Sequence, residues 1–349
     1  MLETVDDLHL LQPGSALHIS VCTPERFLRE GCKVIRKGYG YPSVFNPDTY
    51  VMELMRQGKT PEDAREGGCS GCIEVGAFGK ESLRTRPVTL TSPRYWKVTL
   101  HNGTDPVSGK KVSLETGDPR TFRTYEELYD AFLKQIHYFV DMKVRVSNYI
   151  DRMFAKYAPA TFLSLFIDDC IAKGKDYYNC GPRYNTTYIQ CTGLGTITDS
   201  LSVLKKHVFE ERKFNMEQII HATDTNFEGQ EAMRQFILNR TPFFGNDDEY
   251  ADRIAIQVFN DLYDAIEGKP NTKGECFHLN MLSTTCHVYF GKMMNATPNG
   301  RLAGRAISDG TSPSHGADTH GPSRRRKIIR QTRPGEKRRY SVESTFPAL

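Results

Sequence analysis

The order of apolar runs along the chain predicts an α/β fold, a barrel or sheet in which strands alternate with helices. Three observations carry this. Leu17-His18-Ile19-Ser20-Val21 alternates like a strand, and Tyr184–Cys191 is rich in β-branched and aromatic residues. Between 124 and 157, Leu128, Phe132, Ile136, Phe139 and Val140 recur at helical spacing. Thr192-Gly193-Leu194-Gly195 then turns a strand directly into a helix.

Taken in order, the chain begins with a short α/β lead-in over residues 1–66. After the strand at 17–21, Pro24–Glu30 opens a helix with proline in its first turn. A turn-rich loop, Gly38–Ser43, precedes a helix from Pro47 to Gly58 with Asn46 as N-cap, and Thr60 caps a third helix. Lys97-Val98-Thr99-Leu100 reads as a strand, followed by a Gly/Asp/Pro-rich loop to Arg120. Thr124 with Glu127 forms a capping box for the long helix 124–157. Ala160–Ala172 is apolar and is expected to be buried. Further helices are expected over Met216–Thr223, Gly229–Arg240 and Asp248–Gly268. Phe277–Phe290 is apolar with strand character, and the strand Asn280–Tyr289 would carry Thr284. No internal repeat is evident.

Composition restricts the function classes. The chain has 349 residues, 38% hydrophobic and 25% charged, in the range of soluble globular proteins. No apolar run reaches the roughly 18 residues of a membrane span, and the acidic N-terminus Met1–Asp7 has no signal-peptide core. Nine irregularly spaced cysteines favour a reducing compartment over a disulfide framework, so a cytoplasmic location is expected. The net charge of +4 is uneven: residues 323–349 carry +7 and the remainder −3. A basic tail of this kind suggests nucleic acid or a membrane surface as partners, and a non-enzymatic binding module using it is one alternative function.

The densest chemistry lies at Gly67–Gly79, where five glycines and two cysteines surround one carboxylate. Glycine at this density indicates close backbone approaches that a Cβ would forbid. Residues two apart on an extended loop point the same way, so Cys72 and Glu74 can face one substrate. Cys69-Ser70-Gly71-Cys72 as a zinc site needs two further ligands, and the other cysteines lack the spacing. A thioredoxin-type pair follows a strand and opens a helix, whereas this one follows a helix. A glycine turn with a purely structural role is the remaining alternative to a reactive thiol with an adjacent acid. Gly193-Leu194-Gly195 lacks the third glycine of a dinucleotide site and is read as a tight turn. His278, His287, His315 and His320 have no helical metal-binding spacing and are read as core or loop residues.

Gly71-Cys72-Ile73-Glu74 resembles the thiyl-radical loop of the glycyl radical enzymes, the pyruvate formate-lyase-like family. Over residues 1–322 the resemblance includes Gly40–Asn46, Lys59–Arg65, Thr192–Thr196, Asp199–Leu201, Thr297–Arg301 and Asp309–Asp318. Cys-x-Glu marks the dehydratase and lyase branch, and Gly68–Glu74 is most similar to the members that dehydrate trans-4-hydroxy-L-proline. The resemblance implies a β/α barrel with this loop threaded into its interior. It implies that Cys72 takes a hydrogen atom beside the hydroxyl-bearing carbon and that Glu74 acts as general base on the hydroxyl. Thr284 is implied as a substrate contact by position. No bound cofactor is implied beyond a protein-based glycyl radical. The implied partners are a small-molecule substrate and a radical S-adenosylmethionine activating enzyme, with a homodimer for the full-length family protein and neither nucleic acid nor membrane. Other members imply alternatives: a diol dehydratase, a C–N or C–S lyase, an arylacetate decarboxylase or a formate acetyltransferase-like enzyme.

The sequence also departs from the family. The radical motif, Arg-Val-x-Gly-aromatic, is absent; Arg145–Tyr149 imitates it with Asn148 at the glycine position. The resemblance therefore implies the second half of the barrel with surrounding helices, a C-terminal-half fragment expected to be inactive as it stands. Residues 1–322 form its barrel domain. Residues 323–349 read as a disordered tail translated out of frame, and residues 82–96 show the same sign of a shifted frame, because a one-base shift of chosen codons restores family-like sequence in both. Half a barrel leaves apolar surface uncovered, so poor solubility is expected.

Overall fold

A parallel three-stranded sheet, β5-β6-β7, organises the chain. The computed structural model describes residues 2–10, 14–70, 74–106, 108–283 and 285–319, with residues 70 and 84–94 through their backbone alone. Helix α1 (Leu2–Leu8), strand β1 (Ala16–His18), helix α2 (Glu25–Ile35) and strand β2 (Ser43–Phe45) form the lead-in, with β1 and β2 parallel. Helices α3 (Pro47–Arg56) and α4 (Pro61–Arg65) follow, and their caps are as expected: Asn46 accepts from the amide of Asp48 and Thr60 from that of Asp63. Strands β3 (Gly68–Ser70) and β4 (Glu74–Gly76) make an antiparallel hairpin. Strand β5 (Arg84–Thr91) then pairs with β6 (Thr187–Thr192), which pairs with β7 (Phe277–Asn280), both in parallel.

Helices cover this sheet. Helix α5 (Ser92–Leu100) leads to α6 (Tyr125–Tyr157), whose capping box is formed in full at Thr124 and Glu127. The stripe Leu128, Phe132, Ile136 and Val140 is completely buried, as helical periodicity requires of a core-facing side. Short helices α7 (Thr161–Ser164) and α8 (Cys170–Lys173) connect to β6. Gly193, with φ of 89°, turns β6 into α9 (Leu194–Val203), every residue of which is buried. A π-helical stretch, Leu204–Glu210, continues it. Helices α10 (Met216–Asp224), α11 (Glu231–Arg240) and α12 (Glu249–Ile266) precede β7, and α13 (Cys286–Lys292) follows it. Helix α12 packs against α9, α6 and β7, closing one core. Among the described residues no helix is long and apolar enough to cross a membrane.

Three sequence expectations are corrected. Residues 97–100 are the end of helix α5 and not a strand. Trp96 and Leu100, four residues apart, both enter the core, Trp96 edge-on to Phe132 at 5.5 Å, and this packing overrides the strand preference of Val98-Thr99. The apolar stretch 277–290 divides into strand β7, ending at Asn280, and helix α13, so no strand runs from 280 to 289. The segment 160–172 is largely exposed: Phe162 is 74% and Phe166 66% accessible. Residues 320–349, including His320 and the basic tail, lie outside the described residues.

Candidate active site

The hairpin β3–β4 carries the glycine-rich motif. Its register pairs Gly68 with Gly76, Cys69 with Val75 and Ser70 with Glu74. Residues 71–73 join the strands, and Cys72 lies outside the described residues, as does Thr284. Glu74, half-buried, opens the second strand beside that connection. The glycine density has its physical cause in close approach. A Cβ on Gly67 would lie 2.5 Å from the Gly76 carbonyl oxygen, and one on Gly76 would lie 2.2 Å from Leu83 Cδ1.

Burial, with the nearby charges of Glu53 and Glu74, pushes the Cys69 thiol up to about 12. A thiol held protonated in this way is a poor nucleophile and a poor metal ligand. The Cys69 side chain packs on the cluster of Tyr50, Leu54, Ala64 and Val75.

A polar network fixes the base of the hairpin. Gln57 Nε2 donates to Tyr188 Oη at 2.9 Å and to Glu53 Oε1 at 3.2 Å. Tyr188 Oη donates in turn to the Val75 carbonyl at 3.3 Å. Burial, then the charges of Glu53 and Glu81, raises the Tyr188 phenol well above its ordinary value, so it remains a donor. Lys59 Nζ pairs with Glu81 at 2.9 Å with both side chains out of solvent, and donates to Thr186 Oγ1 at 2.7 Å and Gln57 Oε1 at 2.9 Å. Glu81 also accepts from the Ala77 amide at 2.8 Å. Behind these, Asp63 accepts from Lys80 at 2.5 Å and Tyr184 Oη at 2.7 Å. Those bonds, with a further one from Arg183, hold its carboxyl down at about 2. On the lead-in side, Tyr50 Oη bonds His18 Nδ1 at 2.9 Å.

The sequence offered the glycine-rich loop and Glu74 as a candidate site, but did not show that Glu53, Gln57, Tyr188 and the Lys59–Glu81 pair would form one network around it. These residues are scattered over more than a hundred positions, and only the fold brings them together. Lys59-Thr60-Pro61 and Gly79-Lys80-Glu81 were the available signals, since both flank the loop. His278 bonds Glu267, an intramolecular role in keeping with its reading as a core residue. His287 and His315, from separate segments, meet with ring centroids 6.0 Å apart.

Comparison with known proteins places this geometry in context. The family model described as pyruvate formate lyase-like matches residues 1–291. The chain is 48% identical over 323 residues to trans-4-hydroxy-L-proline dehydratase of Clostridioides difficile, covering 93% of this chain and 41% of the relative. It is 33% identical over 330 residues to isethionate sulfite-lyase of Oleidesulfovibrio alaskensis, covering 92% of this chain and 39% of the relative. The crystal structure of the Clostridioides difficile hydroxyproline dehydratase with trans-4-hydroxy-L-proline bound superposes with a TM-score of 0.89 at 47% identity, covering 94% of this chain and 41% of that one. The chain spans about two-fifths of the length of these relatives.

Proposed function

We propose, from the premise that the chain belongs to the pyruvate formate lyase-like family, that it forms part of a glycyl radical dehydratase acting on trans-4-hydroxy-L-proline. Its fold is a partial β/α barrel of that kind, matched in structure to a hydroxyproline dehydratase. The observation that carries the reading is the β3–β4 hairpin, which sets Glu74 beside the connection that contains Cys72.

A glycyl radical would supply one-electron oxidation of the Cys72 thiol. The hairpin fits that chemistry: a thiol and a carboxylate lie two positions apart in the sequence, with the carboxylate opening β4, and burial keeps the neighbouring Cys69 thiol protonated. This chain's own contribution is position. Cys72 exchanges one hydrogen atom with the carbon beside the hydroxyl-bearing carbon. Glu74 acts as general base toward the substrate, and the proton it takes up leaves with the hydroxyl as water, so that the substrate loses one hydrogen and one hydroxyl in all. Both groups act on neighbouring substrate atoms, which is the reason for one short connection. Thr284 is the proposed substrate contact. A radical S-adenosylmethionine activating enzyme and a homodimer of the longer family protein are the proposed partners. Residues 1–322 are the proposed barrel unit and 323–349 a tail outside it. A cytoplasmic location completes the reading, supported by eight free cysteines among the described residues.

The test is a chimera in which residues 1–319 replace the matching region of the Clostridioides difficile enzyme, activated anaerobically. Water elimination from trans-4-hydroxy-L-proline, abolished by Cys72→Ser and by Glu74→Gln, is the expected result. Turnover of glycerol or isethionate in its place, or activity surviving Cys72→Ser, refutes the assignment.

A further inference from the structure

A cavity of about 1060 Å³ opens between the α11 region and the loops 299–306 and 314–319, away from the β3–β4 hairpin in sequence. Arg234, Arg301, Arg305 and His315 line it, against one acidic lining residue, Asp248. Asp248 is committed to capping α12, where it accepts from the Tyr250 amide at 2.9 Å.

The arginines are held by oxygens that carry no charge. Arg234 Nε donates to the Gly300 carbonyl at 2.8 Å. Arg301 donates to Thr297 Oγ1 at 3.2 Å, to the carbonyls of Leu302 and Arg305, and to that of Asn295. Two guanidinium groups are therefore fixed on one turn, Thr297–Arg301, and among the described residues neither has a carboxylate partner. Burial without a counter-charge lowers the Arg301 guanidinium to about 10, which leaves it charged at neutral pH. The carboxyl behind the wall, Asp199, accepts from Ser314 Oγ and is pushed up to about 7 by burial, so it carries only part of a negative charge at neutral pH. Behind His315, His287 Nδ1 is buried without a hydrogen-bond partner among the described residues.

Fixed, uncompensated guanidinium groups around a roomy concavity form a recognition surface for oxyanions. We propose that this cavity binds a small multivalent oxyanion, a polyphosphate or a polycarboxylate. The proposal stands apart from the reading of the hairpin, since none of the lining residues belongs to residues 67–79.

Calorimetric titration of the 349-residue chain with tripolyphosphate and with citrate tests it. Saturable binding of at least one anion is expected, and which one binds identifies the phosphate or carboxylate source. Arg305→Gln, at an exposed position whose side chain has no hydrogen bond or ion pair among the described residues, should weaken binding about tenfold, the effect of losing one charge-assisted hydrogen bond. Arg152→Gln, on the exposed side of α6, should leave it unchanged. Absence of binding at millimolar anion overturns the proposal. So does binding that Arg305→Gln leaves intact, which would belong to the basic segment 323–349, or an equal loss in both variants.

Discussion

Replacing Lys59 with methionine tests how the hairpin is held. Lys59 and Glu81 are 0% and 1% exposed, and their charged atoms lie 2.9 Å apart. Methionine keeps the apolar stem but removes the ammonium, so Glu81 is left as a buried carboxylate with the Ala77 amide as its remaining described donor. Breaking a buried pair from one side costs about 3–5 kcal/mol. With a urea m-value of about 3 kcal/mol per M, the unfolding midpoint should fall by about 1–1.7 M. The double variant Lys59→Met/Glu81→Leu removes both charges and should recover most of that loss, because paired apolar replacements are often neutral. Urea unfolding of the single and double variants, followed by circular dichroism, provides the cycle. A single variant within about 0.5 kcal/mol of the parent, the range of ordinary surface substitutions, would refute the reasoning. A double variant as unstable as the single would refute it too, since the loss would then come from Gln57 and Thr186 and not from the stranded carboxylate.

Asp199→Asn addresses a buried acid whose carboxyl is pushed up to about 7 by burial, against hydrogen bonds from Ser314 and the Phe244 amide. Between about pH 4 and 7 the native state binds the proton that the unfolded chain has released, so stability falls as pH rises through that window, by at most about 4 kcal/mol. The variant should lack this slope in thermal unfolding measured from pH 4 to 8; an unchanged slope would exclude Asp199 as its source. Gly67→Ala drives a methyl group against the Gly76 carbonyl and should cost about 1–3 kcal/mol, read as a lower unfolding midpoint; a neutral result would mean that the hairpin contact is loose. Phe162→Ser with Phe166→Ser removes two exposed rings that meet edge to face, with centroids 5.2 Å apart. Light scattering should show less self-association with no fall in melting temperature, and a destabilised variant would show that the rings pack where they stand.

Local chemistry was legible in the sequence wherever it was self-contained. The capping box at Thr124–Glu127, the caps Asn46 and Thr60, and the glycine turn at 193 depend on neighbours within four residues, and each forms as expected. Segments whose state depends on distant packing were not legible. Lys97–Leu100 has β-branched residues at its centre, yet Trp96 and Leu100 make it helical by burying one side against α6. The apolar character of 160–172 shows that the segment disfavours water but not whether any part of the chain covers it, and Phe162, Leu165, Phe166 and Ile171 remain exposed. At the candidate site the close backbone approaches of the glycine-rich stretch were readable from composition. Tyr188 was not, because a tyrosine in a strand gives no sign that its hydroxyl will reach a carbonyl on a hairpin 113 residues away.

That bond bears on how a short hairpin can serve as a chemical platform. An isolated two-stranded hairpin is marginal in water, and β3–β4 pairs only three residues per strand. Its position must come from elsewhere, and strand β6 with the residues just before it supplies much of it. Tyr188 holds the Val75 carbonyl, Thr186 accepts from Lys59, and Tyr184 bonds Asp63 together with Lys80. Residues 184, 186 and 188 are spaced by two, so along an extended strand they project to one side, and each ties down a different part of the region around the hairpin. The parallel sheet thus reaches the site through the period of one strand. The base of the hairpin is fixed by the sheet, while Glu74 stands at the far end of the strand pairing, opposite Ser70.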